Sequence, residues 1–199
     1  MKLDMNNWLL FDLECSMYSE DKVKGSFYKR AKELLCIATH DLGTGEKVLY
    51  ADDTTTGGRN SLEEGVEAIL NANRVLGHNL RSFDIPALGH LRPQFNKQLR
   101  AIPLSDTRWM ALKSDKSPDG VYTYAQLAEL DKKLGLVTEY PNSLAAWGDR
   151  FKFPKMSDFK DTNWETQEYT PLLGKYCETD VAVNVKLFEH LCKKKNIEY

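Results

Sequence analysis

Asp12 and Glu14, one residue apart in the run W-L-L-F-D-L-E-C at positions 8–15, are the side chains whose type and spacing most directly suggest chemistry. Alternate side chains of a strand point to opposite faces, so the two acids share a face with Leu10, while Leu9, Phe11 and Leu13 line the other. Two carboxylates side by side at the end of a buried strand repel each other and are costly to desolvate. No Lys or Arg alternates with them. A divalent cation meets that need, and all-oxygen ligation suits magnesium or manganese rather than zinc. Taken alone, a D-x-E pair is also the pattern of solvated acids at a strand end.

Two more acids join the argument. Asp84 closes the run H-N-L-R-S-F-D at positions 78–84, at the exit of a predicted strand and the start of a helix, where a carboxylate can point into the crevice at strand ends. The alternative is a helix-start acid favoured by the dipole. Tyr176 and Asp180 stand four apart on a predicted helix, on one stripe with Leu173, Val183 and Leu187. An acid on an inward apolar stripe needs a partner, whereas Glu178 reads as an ordinary surface acid.

The elements that must position these acids read as an α/β fold. Positions 8–15, 34–40 and 47–51 are strand-like, and the D-L-G-T-G turn at 41–45 makes the three N-terminal strands an antiparallel meander. Residues 16–32 are polar and read as a long loop on the side of the carboxylates. The S-L-E-E capping box at 61–64 opens a helix carrying Leu62, Val66, Ile69 and Leu70. A strand at 74–77, a helix at 82–91 with Pro86 near its first turn, a strand at 102–105 and a helix at 106–112 follow. Residues 113–120 form a loop placed to act as a lid. Helices are expected at 124–134, stopped by Gly135, and at 143–151. Residues 153–164 are irregular, and a last helix begins at Thr170-Pro171 and runs to about Lys193. The order β-β-β-α-β-α-β, then helices, predicts a mixed central sheet flanked by helices in one domain over residues 1–199.

Composition sets the outer limits. The chain has 199 residues, 42% of them hydrophobic, enough for one sizeable core. Its 27 basic and 29 acidic residues give a net charge of -2, so no global positive field gathers nucleic acid, and a polyanion must be held locally. The four cysteines form no C-x-x-C pair, as for reduced thiols of the cytoplasm. No stretch approaches the ~18 consecutive apolar residues of a membrane span, so no membrane association is expected.

Asp12, Glu14, Asp84 and Asp180 in this order, with Tyr176 four before the last, resemble the DEDD 3′-to-5′ exonucleases of the ribonuclease H-like fold. The tyrosine marks the DEDDy subclass. In the histidine subclass the matching residue stands five before the last acid, where this chain has Lys175. More narrowly, H-N-L-R-S-F-D-I-P-A-L at 78–88, L-A-A-W-G at 144–148 and the helix at 176–191 resemble the proofreading domain of phage family A DNA polymerases, over nearly the whole chain. The resemblance implies two Mg2+ or Mn2+ ions, one held by Asp12, Glu14 and Asp180, the other reached by Asp12 and approached by Asp84. It also implies release of nucleoside 5′-monophosphates from the 3′ end of single-stranded DNA. Tyr176 is expected to orient the attacking water, since a phenol with a pKa near ~10 is a poor base at neutral pH.

Around the acids, Phe83 matches an aromatic position of the family and stands either as a stacking surface for the terminal base or as a core aromatic. Asn79 either bonds the substrate or caps the helix after Ser82. The backbone at Leu13 and Cys15 is expected to touch the 3′ nucleotide, and the Cys15 thiol is not read as reactive. Trp147 reads as a packing anchor, Asp106 as a helix cap rather than a fifth ligand, the 193–195 lysines as a solvated helix end, and G-G-R at 57–59 as a turn. His40, His90 and His190 have no partner at metal-ligand spacing.

Family A proofreading domains precede a polymerase, and this sequence stops at Tyr199. The expected roles are therefore a free-standing exonuclease of the cytoplasm (host cytoplasm if phage-encoded), a proofreading subunit acting in trans with a polymerase subunit, or an RNA trimmer. A non-catalytic nucleic-acid-binding module is the alternative of a different class.

Overall fold

The computed structural model describes residues 3–52, 60–137, 139–153, 156, 159 and 162–198. The G-G-R turn at 57–59 and several positions of the irregular 153–164 stretch lie outside them.

A five-stranded mixed sheet runs in the order β3-β2-β1-β4-β5, with β1 (Trp8–Met17) at its centre. β1 pairs antiparallel with β2 (Ala31–Asp41), and β2 with β3 (Lys47–Tyr50). On its other side β1 runs parallel to β4 (Arg74–Gly77), and β4 to β5 (Leu104–Asp106). The predicted meander is present, and its turn is shaped by Asp41 Oδ1, which accepts from the Gly43 and Thr44 amides at 2.8 Å, with Gly45 at φ +78°.

The alternation read from positions 9–14 divides the core. Leu9, Phe11 and Leu13 pack with Val66 and Ile69 of α1 (Leu62–Asn71) and Leu88 of α2 (Asp84–Leu91). Leu10 faces the other way, onto Cys177, Val181 and Phe188 of α7 (Pro171–Lys194). The far side of α7, with Val183, Leu187 and Leu191, packs on Trp147 and Leu144 of α6 (Leu144–Arg150) and Leu127 of α5 (Tyr124–Leu134). α7 is therefore covered on two sides, which explains why its apolar residues are not confined to one stripe.

Local chemistry starts and stops these helices where the sequence says. Ser61 and Glu64 close a capping box on α1, Thr123 and Gln126 one on α5, and Gly135 ends α5 at φ +69°. Thr170 caps α7, its side chain accepting from Leu173 N at 3.1 Å, with Pro171 at the first helical position.

Three expectations are corrected. The long loop at 16–32 is shorter, because β1 continues to Met17 and β2 begins at Ala31, paired across two bulges. A single turn of 3-10 helix, Phe27–Arg30, also lies within it. A short helix α3 (Asn96–Ala101) follows α2 unannounced, since Leu99 is its one buried residue and so leaves no periodic signal. The strand expected at 102–105 is Leu104–Asp106, followed by α4 (Thr107–Ala111).

Candidate active site

The site begins where two parallel strands part. β1 and β4 are paired from Trp8↔Arg74 to Leu10↔Leu76 only, and β1 continues past that point with Asp12 and Glu14. The carboxyl ends of neighbouring strands are where open α/β sheets place their ligands. Gly77 marks the place: a Cβ there would lie 2.9 Å from the Phe11 carbonyl oxygen and closer still to the Leu80 side chain.

Each candidate acid reaches this region from a different element. Asp12 and Glu14 are half-buried on β1, on the face that α7 crosses. Their carboxylates and the Cys177 thiol come within 4.8 Å of one another. Cys177 Sγ donates to the Asp12 backbone oxygen at 3.4 Å and approaches Asp12 Oδ2 at 3.7 Å, fixing α7 against β1. Asp180, one turn further along α7, is only 2% exposed. Asp84 is the first residue of α2 and is 4% exposed. Desolvation pushes the Asp84 carboxyl up to about 7 and the negative charges of Asp106 and Asp180 add to this, while its own amide and that of Leu13 oppose it. Asp84 therefore sits against β1 at Leu13 and within the field of Asp180.

Tyr176 is half-buried one turn before Asp180, its ring set edge-on to Phe159 with centroids 5.0 Å apart. Cys15 is buried, with Sγ on Met17 Sδ at 3.4 Å, and burial, followed by the charges of Glu14 and Asp84, pushes its thiol well above the ordinary range. Its side chain is thus no nucleophile, and the Leu13 side chain is equally enclosed. Only the backbone of these two residues is left to meet a ligand.

Phe83 packs partly on the core, and its ring lies 5.3 Å from that of Phe27, tilted 41° to it. Asn79 takes a left-handed turn at φ +70°; its backbone oxygen accepts from the Ser82 and Phe83 amides, and its side-chain oxygen accepts from Arg108 Nη1 at 2.6 Å. Asp106 is the cap of α4, and more. Its Oδ1 accepts from the amides of Asn79 and Arg108 and its Oδ2 from that of Arg81, so one buried carboxylate staples the two loops beside Asp84. Trp147 is a packing anchor as expected, buried and donating to Asn142 Oδ1 at 3.1 Å. His190 Nε2 meets the Tyr122 hydroxyl at 2.6 Å, a structural contact.

The donor set suits a hard cation. Asp12, Glu14, Asp84 and Asp180 offer carboxylate oxygens, and the Cys177 thiol, pushed well above its ordinary value by burial first, stays protonated and leaves the ligation to oxygen. The stapling role of Asp106 and the contact of Cys177 with Asp12 were invisible in the sequence, where Cys177 and Asp12 lie 165 positions apart.

No protein-family model matches the sequence, and no curated protein matches it significantly. Solved structures do. Brucella melitensis NrnC bound to pGG superposes with a TM-score of 0.52 at 14% identity, over 98% of this chain and 78% of that one. The catalytic core of RRP6 from Trypanosoma brucei gives 0.50 at 14% identity, over 94% and 40%. The family B DNA polymerase of Pyrobaculum calidifontis gives 0.51 at 14% identity, over 92% of this chain and 24% of the polymerase. The fold is the ribonuclease H-like one, a five-stranded mixed sheet flanked by helices. At this identity the likeness is one of architecture, and it agrees with the mixed sheet and flanking helices expected from the sequence. No helix among the described residues is long and apolar enough to cross a membrane.

Proposed function

We propose that the protein is a metal-dependent 3′-to-5′ exonuclease that removes nucleoside 5′-monophosphates from the 3′ end of single-stranded DNA. What supports this reading is that Asp12 and Glu14 of β1 lie within 4.8 Å of Cys177 of α7, while Asp84, at the start of α2, is buried against Leu13 and in the field of Asp180. So much negative charge in a partly dry cleft calls for cations. Asp12, Glu14 and Asp180 would hold one, and Asp12 with Asp84 a second. When bound, such ions lower the pKa of water and stabilise the oxygen that leaves the phosphate.

The chain's own residues supply the rest. Asp84, its carboxyl raised to about 7 by burial, would bind a cation as the carboxylate, with loss of its proton. Tyr176 orients the attacking water through its hydroxyl, on the helical face that carries Asp180. The Leu13 and Cys15 backbone, Asn79 and Phe83 line the approach of the terminal nucleotide. The likeness to NrnC solved with pGG and with Mg2+ supports a nucleotide and a divalent cation as ligands. The likeness of positions 78–88 and 144–148 to phage family A proofreading domains supports DNA. Four free cysteines suit the cytoplasm, where a replicative polymerase subunit is the fitting partner.

The test is a 5′-labelled single strand, as DNA and as RNA, incubated with Mg2+ and with EDTA. The proposal expects progressive shortening from the 3′ end, faster on DNA, abolished by chelation and reduced at least about 100-fold in Asp12→Ala, by comparison with the loss seen for groups that merely support a ligand. Faster shortening of RNA would reassign the substrate. No degradation of either strand would leave a binding module and overturn the enzyme reading.

A further inference from the structure

Phe27 is a large apolar side chain left 58% exposed. It opens the 3-10 turn Phe27–Arg30, and its ring meets Phe83, whose backbone leads directly into Asp84, at a centroid distance of 5.3 Å. The Arg30 guanidinium lies over the same ring, 5.3 Å from its centroid, and Arg30 is itself held by Nε donating to the Tyr18 backbone oxygen at 2.9 Å. A cleft of about 260 Å³ opens beside the ring, lined by Glu20, Val23, Lys24, Gly25, Phe27 and Arg30. The second ring braces Phe27 at a tilt of 41°, and of the charges at the cleft Lys24 and Arg30 outnumber Glu20, whose exposed carboxylate lies 3.9 Å from Arg30 Nη1. An exposed ring beside a net positive charge suits a nucleotide, with its flat apolar base and anionic phosphate.

We propose that Phe27, seated on Phe83, is the stacking platform for the unpaired base at the 3′ end of the strand, with Lys24 and Arg30 supplying the positive charge that the chain as a whole lacks. The inference rests on the exonuclease reading and adds a residue outside the acid motif. Stacking on an aromatic ring is indifferent to base identity, so the platform holds any of the four bases. The acids repel phosphate until cations are bound, and a base contact several residues away gives the strand a hold that does not depend on them. In sequence Phe27 sits in a polar stretch with no periodicity to mark it.

The experiment compares KM and kcat for two single strands identical except that one ends in an abasic nucleotide, using wild type, Phe27→Ala and Phe27→Trp in Mg2+. On the base-bearing strand Phe27→Ala is expected to raise KM about tenfold with a much smaller change in kcat, and Phe27→Trp to restore it. On the abasic strand wild type shows the raised KM already and Phe27→Ala adds nothing. An unchanged KM in Phe27→Ala, or an equal rise on both strands, overturns the platform. If wild type cuts neither strand, the exonuclease reading fails instead. The platform is then judged by Phe27→Trp fluorescence with oligothymidylate: quenching upholds it and an unchanged spectrum overturns it.

Discussion

Cys177 Sγ lies 3.4 Å from the backbone oxygen of Asp12 and 3.7 Å from its Oδ2, so the last helix touches the central strand at the first of the paired acids. A buried thiol fits this seam because it is small and its S–H still finds an acceptor. Cys177→Leu is expected to cost about 1–3 kcal/mol by overpacking. By moving α7, and Asp180 with it, the substitution should also weaken Mg2+ binding by about 10–100-fold. Cys177→Ala should bind Mg2+ almost as wild type does. Denaturant unfolding and calorimetric Mg2+ titration measure the two effects, and wild-type affinity in Cys177→Leu would break the link between helix seating and metal binding.

Asp84 gives the pH dependence its sign. Its carboxyl stands at about 7 in the fold against the ordinary 3.8, raised first by desolvation and then by Asp106 and Asp180. The native state thus binds more protons than the unfolded chain across that window, so the metal-free protein loses stability as pH rises from about 4 to about 7 and is level above it. Mg2+ should return the loss, most strongly at the upper end. Thermal unfolding with EDTA and with Mg2+ between pH 5 and pH 8 is the check, and a metal-free Tm that rises across this range against a neutral-buffer control would contradict the assignment.

Asp106 acts on the site without belonging to it. Its carboxylate holds the amides of Asn79, Arg81 and Arg108, and its negative charge adds to the burial that raises the Asp84 carboxyl. Asp106→Asn removes the charge and part of the staple, so the acid limb of the pH-rate profile should move to lower pH, while rate falls because the loops loosen. Asp106→Ala leaves three amides short of an acceptor and is expected to cost about 1–3 kcal/mol. An acid limb unmoved in Asp106→Asn would show that the two carboxyls do not sense each other.

Remote from the acids, Arg150 and Asp131 form a two-pronged ion pair at 2.6 and 2.8 Å, the side chains 2% and 5% exposed, with the guanidinium also over the Trp147 ring at 4.5 Å. Losing one member strands the other charge in the core. Asp131→Ala is therefore expected to lose about 3–5 kcal/mol, a fall in Tm of roughly 6–20 °C for a chain of this size. A fall under 2 °C in calorimetry would mean that the pair contributes little.

How much of this was legible beforehand differs by residue. The period-two run at 9–14 gave the division of the core, because a strand buried on both faces cannot hide which side its acids take. Ser61, Thr170 and Gly135 announced their helix ends because capping is a local interaction. Asp180 was marked by the apolar stripe around it, and it is indeed buried. What the sequence did not reveal depends on tertiary contact: the Asp106 staple, the Cys177–Asp12 seam and the tilted Phe27–Phe83 ring contact join residues from separate elements. α3 escaped for the opposite reason, since a helix with one buried side chain has no face to declare.

The central claim is that Asp12 on β1 and Asp180 on α7 serve one metal centre, and Mn2+ binding followed calorimetrically in wild type, Asp12→Asn and Asp180→Asn tests it most directly. The account predicts that either substitution abolishes the same tight site while the far-ultraviolet spectrum stays that of wild type. Tight binding that survives Asp180→Asn undiminished would contradict it.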